Sequence, residues 1–186
     1  MKPIAFVIPW YGEDLKGGAE QFAWQFSHRL ASRGHEVEVL TTCCASFLED
    51  WNENHLDSGE SRTAGNVLVR RFEVVKRDAG AFHAANMRLL DVPRQALDAP
   101  AYRADLADAA TFEAQNIRSD ALKQFITEHA DNYHAFVFIP YMYGTTFDGL
   151  GLVADKAFLH PCLHDEIYAR LPQVQQLFTQ CAGLLY

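Results

Sequence analysis

Residues Ile4-Ala5-Phe6-Val7-Ile8 are five apolar side chains in a row, closed at both ends by Pro3 and Pro9. An alternating run would mark a strand with one wet face. An unbroken run marks a strand buried on both faces, as in a parallel sheet. A glycine-containing turn follows, and then Ala19, Phe22, Ala23, Phe26 and Leu30 recur at helical spacing. Gly34, just past Arg33, supplies a left-handed stop. Val37-Glu38-Val39-Leu40 reads as a second strand running into Thr41-Thr42. The chain therefore opens as β-loop-α-β, and such a crossover is right-handed.

Further strands are expected at 67–75, 135–139, 156–159 and 183–186, with helices over 145–154 and 172–181. The stretch 79–133 is broken by Pro93 and Pro100. Within it Leu106, Ala110, Ile117, Ala121 and Phe125 predict a stripe along one helix of several turns. Residues 49–66 are polar and read as a surface excursion. Strands alternating with helices imply one α/β domain over 1–186: Rossmann-like, doubly wound, with a mainly parallel sheet and helices on both faces. The strand-like run 182–186 stops before any return, so the natural chain is expected to continue.

Sixteen Lys+Arg stand against 24 Asp+Glu, a net charge of −8, which argues against a general grip on nucleic acid or an anionic membrane. Cys43 and Cys44 are adjacent, Cys162 and Cys181 are far away, and no C-x-x-C spacing exists. They read as small buried hydrophobes in a reducing compartment. No apolar run approaches the roughly 18 residues of a membrane span, and the first residues lack a signal peptide's pattern. The expected location is the cytoplasm, with peripheral contact at the inner membrane face left open.

Ligands of open parallel sheets bind beyond the carboxyl ends of the strands. Three loops are expected there. In the first, Trp10 to Glu20, Gly17-Gly18 opens the helix and offers backbone N–H groups to an anion such as a diphosphate, or simply starts the helix. The second, 140–146, carries Tyr141, Tyr143, Thr145 and Thr146, which suit a sugar or a base but equally aromatic packing with a threonine cap. The third, 160–166, holds His164 beside Asp165 and Glu166; the histidine could polarise a substrate hydroxyl, or the pair could cap a helix. G-x-G-x-x-G, P-loop and G-x-S-x-G motifs are all missing. No D-x-D or metal-spaced cluster is present, so no metal is expected. His28, His35, His55, His83, His129 and His134 read as solvent-facing. Arg70, Arg71, Lys76 and Arg77 form a basic cluster, either a solvated strand end or a phosphate contact for an acceptor.

Together Gly17-Gly18-Ala19-Glu20, the helix end Leu30 to Val37 and His164-Asp165-Glu166 resemble the N-terminal domain of glycosyltransferase family 4. The resemblance covers essentially the whole chain and is strongest at 3–42 and 135–186. It implies half of a GT-B fold in a retaining enzyme, which moves a sugar from a nucleotide-diphosphate sugar to an acceptor hydroxyl without a metal or other cofactor. The acceptor would be a glycan, a lipid-linked or a small molecule. It further implies that Gly17 and Gly18 approach the donor diphosphate and that Glu166 lies near the donor sugar. His164 and Asp165 would be catalytic, and Trp10, Tyr11, Glu13, Tyr141 and Tyr143 would border the acceptor. Family members bind the nucleotide mainly through a second, C-terminal domain, which does not follow Tyr186, so this chain alone is expected to transfer no sugar. A sugar-nucleotide epimerase of the same architecture and a non-catalytic α/β interaction domain are the alternatives.

Overall fold

A computed structural model describes residues 2–99 and 102–186. Strand β1 (Ile4–Val7) leads through a loop into helix α1 (Gly18–Ser32) and then β2 (Val37–Thr42). The chain makes an antiparallel pair, β3 (Gly59–Arg62) and β4 (Leu68–Phe72), before a helical stretch. That stretch holds α2 (Ala79–Leu90), α3 (Arg94–Leu97), α4 (Leu106–Ala114) and α5 (Asp120–His129). Then come β5 (Ala135–Phe138), α6 (Gly144–Gly149), β6 (Ala157–Leu159), α7 (Pro172–Gln180) and β7 (Gly183–Leu184). The sheet order is β3-β4-β2-β1-β5-β6-β7, and every pair except β3–β4 is parallel. Numbered among themselves, the six parallel strands lie 3-2-1-4-5-6, the Rossmann order, with its switch point between β1 and β5.

The unbroken apolar strands bury both faces of this sheet. Phe6, Ile8, Val39, Val69, Val137 and Ile139 point to one face, beneath Phe22, Ala23 and Phe26 of α1. Ala5, Val7, Leu40, Phe136, Phe138 and Leu159 point to the other, against Phe112 of α4, Leu122 and Ile126 of α5, and Val174 and Leu177 of α7. Full burial of Phe6, Phe136 or Phe138 contributes about 2 kcal/mol each. One face thus carries a single helix and the other carries several. Gly34 has φ +86°, the left-handed stop that ends α1, and the amides of Gly34 and Arg33 donate to carbonyls of the last turn.

Several expectations need correction. The stripe from Leu106 to Phe125 is not one helix: the chain leaves α4 after Ala114 and starts α5 at Asp120, where Ser119 accepts from the Leu122 amide. Of the expected stripe only Ile117 is fully buried; Leu106, Ala110 and Ala121 are exposed, and the helices bury Ala109, Phe112, Leu122 and Ile126 instead. Of the two expected breaks, Pro93 precedes α3, while Pro100 lies outside the described residues. The polar excursion contains β3, and Trp51 inside it is buried. The strand expected over 67–75 is only five residues long, and the helix expected over 145–154 ends at Gly149 and continues as 3₁₀ turns. His28 is not solvent-facing. Its Nδ1 lies 2.7 Å from the Trp24 carbonyl oxygen and its Nε2 2.9 Å from Thr63 Oγ1.

Candidate functional site

The first loop is held from below by β2. Thr41 and Thr42 hydroxyls donate to the Pro9 carbonyl at 3.1 and 2.7 Å, and the Thr42 amide joins them. Trp10 is fully buried, packed on Trp51 (5.4 Å between centroids) and edge-on to Tyr143 (4.8 Å). Further along, Gln21 Nε2 donates to the Leu15 carbonyl at 2.6 Å, tying the loop to the helix it feeds. Gly17 sits at the N-cap with no side chain to bond the first turn's N–H groups, which therefore have no side-chain cap. A Cβ on Gly17 would collide with the Glu20 carboxylate, whereas one on Gly18 would meet nothing within 4 Å.

The second loop meets the first through Tyr143 and the third through Tyr141. The Tyr141 ring is buried, and its hydroxyl donates to Glu166 at 2.5 Å. Burial, and after it the electrostatic influence of Glu20, Tyr168 and Glu166, pushes the Tyr143 phenol well above its ordinary value. Tyr141 is pushed up likewise, by burial and then by its bond to Glu166. Tyr168, whose hydroxyl donates to Asn86, rises to about 12, mainly by burial. Cys162 rises to about 11, by burial and then by Glu20. Its φ of +52° places a non-glycine residue in the left-handed region at the crevice rim, a local strain of about 1 kcal/mol.

At neutral pH the crevice phenols are therefore neutral, and Glu20 and Glu166 stand beside them. Hydrogen-bonding groups of both kinds suit a polyhydroxylated ligand. An anion at the start of α1 would displace the Glu20 side chain from above Gly17.

The remaining expected residues fall as follows. Glu13 is exposed, Tyr11 is largely buried with its hydroxyl 2.8 Å from Ser27 Oγ, and the fully buried Trp10 and Tyr141 support their loops more than they line an open surface. His164 is exposed, and its side chain has no hydrogen bond among the described residues; its carbonyl accepts from the Glu166 amide. Asp165 pairs with Arg94 and, at 3.9 Å, with Arg170. Neither caps a helix: Glu166 precedes the next 3₁₀ turn and makes no side-chain cap. The threonine cap is also not formed, since Tyr143 precedes α6 and Thr146 donates to the Pro140 carbonyl.

Three residues here were given no role of their own from sequence. Glu20 stands three positions after Gly17, where a capping carboxylate belongs, and that spacing could have pointed to it. Arg94 reaches across from α3 and carries no local signal. Asn116 is buried between α4 and α5; its Oδ1 accepts from the Ile117 and Gly144 amides, and its Nδ2 donates to the Met142 carbonyl.

The order of the strands and the loops at their carboxyl ends define a Rossmann-like α/β protein. Neither the protein-family models nor the curated protein sequences give a match to this chain. Among the described residues no helix is long and apolar enough to cross a membrane, and no three His, Cys, Asp or Glu side chains are grouped to hold a metal.

Proposed function

We propose that this chain is the N-terminal, acceptor-side domain of a retaining GT-B glycosyltransferase, which moves a sugar from a nucleotide-diphosphate sugar to an acceptor hydroxyl. The observation that carries the reading is the convergence at the β1/β5 switch point of three loops resembling that family: Gly17-Gly18 at the start of α1, Tyr143 packed on Trp10, and Glu166 bonded to Tyr141. In this reading the diphosphate displaces the Glu20 side chain and takes the N–H groups at Gly17 and Gly18, and the phenols with Glu166 orient sugar hydroxyls. His164 is free to approach the transferred sugar. Transfer needs a second domain to close the cleft over the nucleotide, and no metal takes part.

The test is an amide-resolved NMR titration with uridine- and guanosine-diphosphate sugars, with a parallel assay for transfer. Saturable shifts at Gly17 to Glu20 without product are expected. Gly18→Val should weaken that binding about tenfold or more. Its melting temperature should hold, because a side chain at Gly18 has open space in the free protein. Silence at these amides with every donor, or an equal loss of stability in Gly18→Val, would remove the diphosphate site.

A further inference from the structure

The basic cluster around β4 is four different environments. Arg70 pairs with Glu38 at 2.7 Å and with Glu60, on the face shared with Phe72 and Phe125. Lys76 pairs with Glu53 at 2.8 Å. Arg77 lies over the rings of Trp51 and Phe82, 4.7 and 4.8 Å from their centroids. Arg71 points to the opposite face from Arg70, as neighbours on a strand must, and has no carboxylate partner among the described residues. Its Nη2 donates to the Tyr11 carbonyl and its Nη1 to Ser61 Oγ, both at 3.2 Å. Its Nε–H is buried with no partner at all. Burial lowers its pKa from the ordinary guanidinium value, and no carboxylate is paired with it to offset that cost.

Topology explains why this cation faces a cavity. The step from β2 to β4 continues outward from β1 to β2, so a right-handed crossover passes over the face that carries α1. In a doubly wound sheet that crossover brings a second helix beside α1. Between Cys43 and Val67 this chain has no helix, only loop and β3. The place beside α1 is a groove of about 1010 Å³. Tyr11, Trp24, His28 and Arg29 form one side, Arg71 part of the floor and Arg62 the far side. Three guanidiniums meet one carboxylate, Glu13, in a chain whose net charge is −8. Trp24 is partly exposed there, packed against Tyr11 (5.2 Å) and His28 (4.1 Å).

We propose that this groove binds a small molecule bearing a phosphate or carboxylate on an apolar or aromatic body, with the anion on Arg71 and the body against Trp24. The groove has the size of a small-molecule site, and a guanidinium with no carboxylate partner is the group that oxyanions pair with. The site is separate from the N-terminus of α1 and stands without the glycosyl-transfer reading.

Phenyl phosphate and benzoate are the probes, phenol the neutral control, and the Trp24 indole N–H and Arg71 Nε–H the NMR reporters. Saturable shifts of both reporters are expected with at least one anion, and none with phenol; which anion binds more tightly identifies the head group. Arg71→Ala should weaken binding about tenfold or more. Arg71→Lys, which keeps the charge but loses the fork, should weaken it less, and it tests the proposal even if the alanine variant fails to fold. Equal affinity in Arg71→Lys and the parent, equal shifts with phenol, or shifts confined to Gly17–Glu20 would overturn the proposal. So would binding of poly-glutamate alone, which would make the groove a docking surface for an acidic protein segment. Nucleotide sugars report at Gly17–Glu20 and these probes at Trp24, so failure of one site is distinguishable from failure of the other.

Discussion

Asn116 shows how much of the crevice depends on one side chain far from it in sequence. Its carbonyl oxygen serves the Ile117 amide at 2.9 Å and the Gly144 amide at 3.0 Å, and its amide nitrogen serves the Met142 carbonyl at 3.2 Å. The loop after β5 is thereby pinned to the junction after α4. Approach is so close that a Cβ on Gly144 would strike the Ile117 carbonyl. Asn116→Ala strands two buried N–H donors and one acceptor, and should cost about 3 kcal/mol, read as a shift in the urea midpoint. Asn116→Asp keeps the acceptor for both amides and should lose less; equal loss in the two variants would deny the acceptor its role. No local pattern reveals such a residue, because its partners lie on another loop. The places of Gly17-Gly18 and Glu166 in the fold were legible, because they follow strands and glycines mark a helix start. Trp10 and Tyr141 were visible as aromatic loop residues, yet whether a ring faces a ligand or the core is decided by neighbours such as Trp51, which the sequence places some forty residues away.

At the scale of elements, runs that are buried on both sides were the readable ones. β1, β5 and β6 were plain because a strand buried on both faces has no polar residue to confuse its pattern, and β2 was readable from its apolar Val37, Val39 and Leu40 despite Glu38. Helix α1 was plain for the opposite reason, since only one of its faces is buried and its end carries Gly34. Confusion arose between α4 and α5, where apolar residues at near-helical spacing continue across a break. Polar chemistry decides that break. Ser119 Oγ accepts from the Leu122 amide at 3.2 Å while its own proton goes to the Glu73 carbonyl at 2.6 Å. The residue thus starts α5 and ties it to the end of β4. Ser119→Ala should cost about 1–2 kcal/mol in chemical denaturation, a lost cap plus a lost buried bond. Ser119→Asp can cap but cannot donate to Glu73, and should fall between. A parent-like midpoint in Ser119→Ala would mean that packing of Leu122 and Ile126 alone sets where α5 begins.

At the scale of the whole molecule, buried phenols are spread through every layer, and this couples the fold to alkaline pH. Tyr11 lies under α1 with its phenol pushed up to about 12, mainly by burial and despite its bond to Ser27. Tyr133 is raised further, by burial and by donating to Glu38 at 2.7 Å on the opposite face. Tyr141, Tyr143 and Tyr168 surround the crevice and are raised for the same first reason, and the Cys162 thiol stands at about 11. Each of these groups is neutral when protonated, and folding holds it protonated to a higher pH than the unfolded chain does. Below the unfolded pKa both states keep the proton and the stability is fully present. Above it the unfolded chain loses protons first, so the folded state binds more of them and stability falls as pH rises. The thiol opens this window near pH 9 and the phenols steepen it from about pH 10, with Tyr11 and Tyr168 losing their contribution as pH passes about 12. Thermal melts should therefore show a steep fall in melting temperature between about pH 9 and about pH 11. The unfolding should stay a single transition, because the groups sit on both faces of one sheet and in the crevice between its loops. Tyr133→Phe removes one titrating group and should flatten the fall, while lowering stability at neutral pH through the lost bond to Glu38. A melting temperature that held level to about pH 11 would mean that these phenols reach water in the folded protein, and the tight crevice described for Tyr141, Tyr143 and Tyr168 would have to be open.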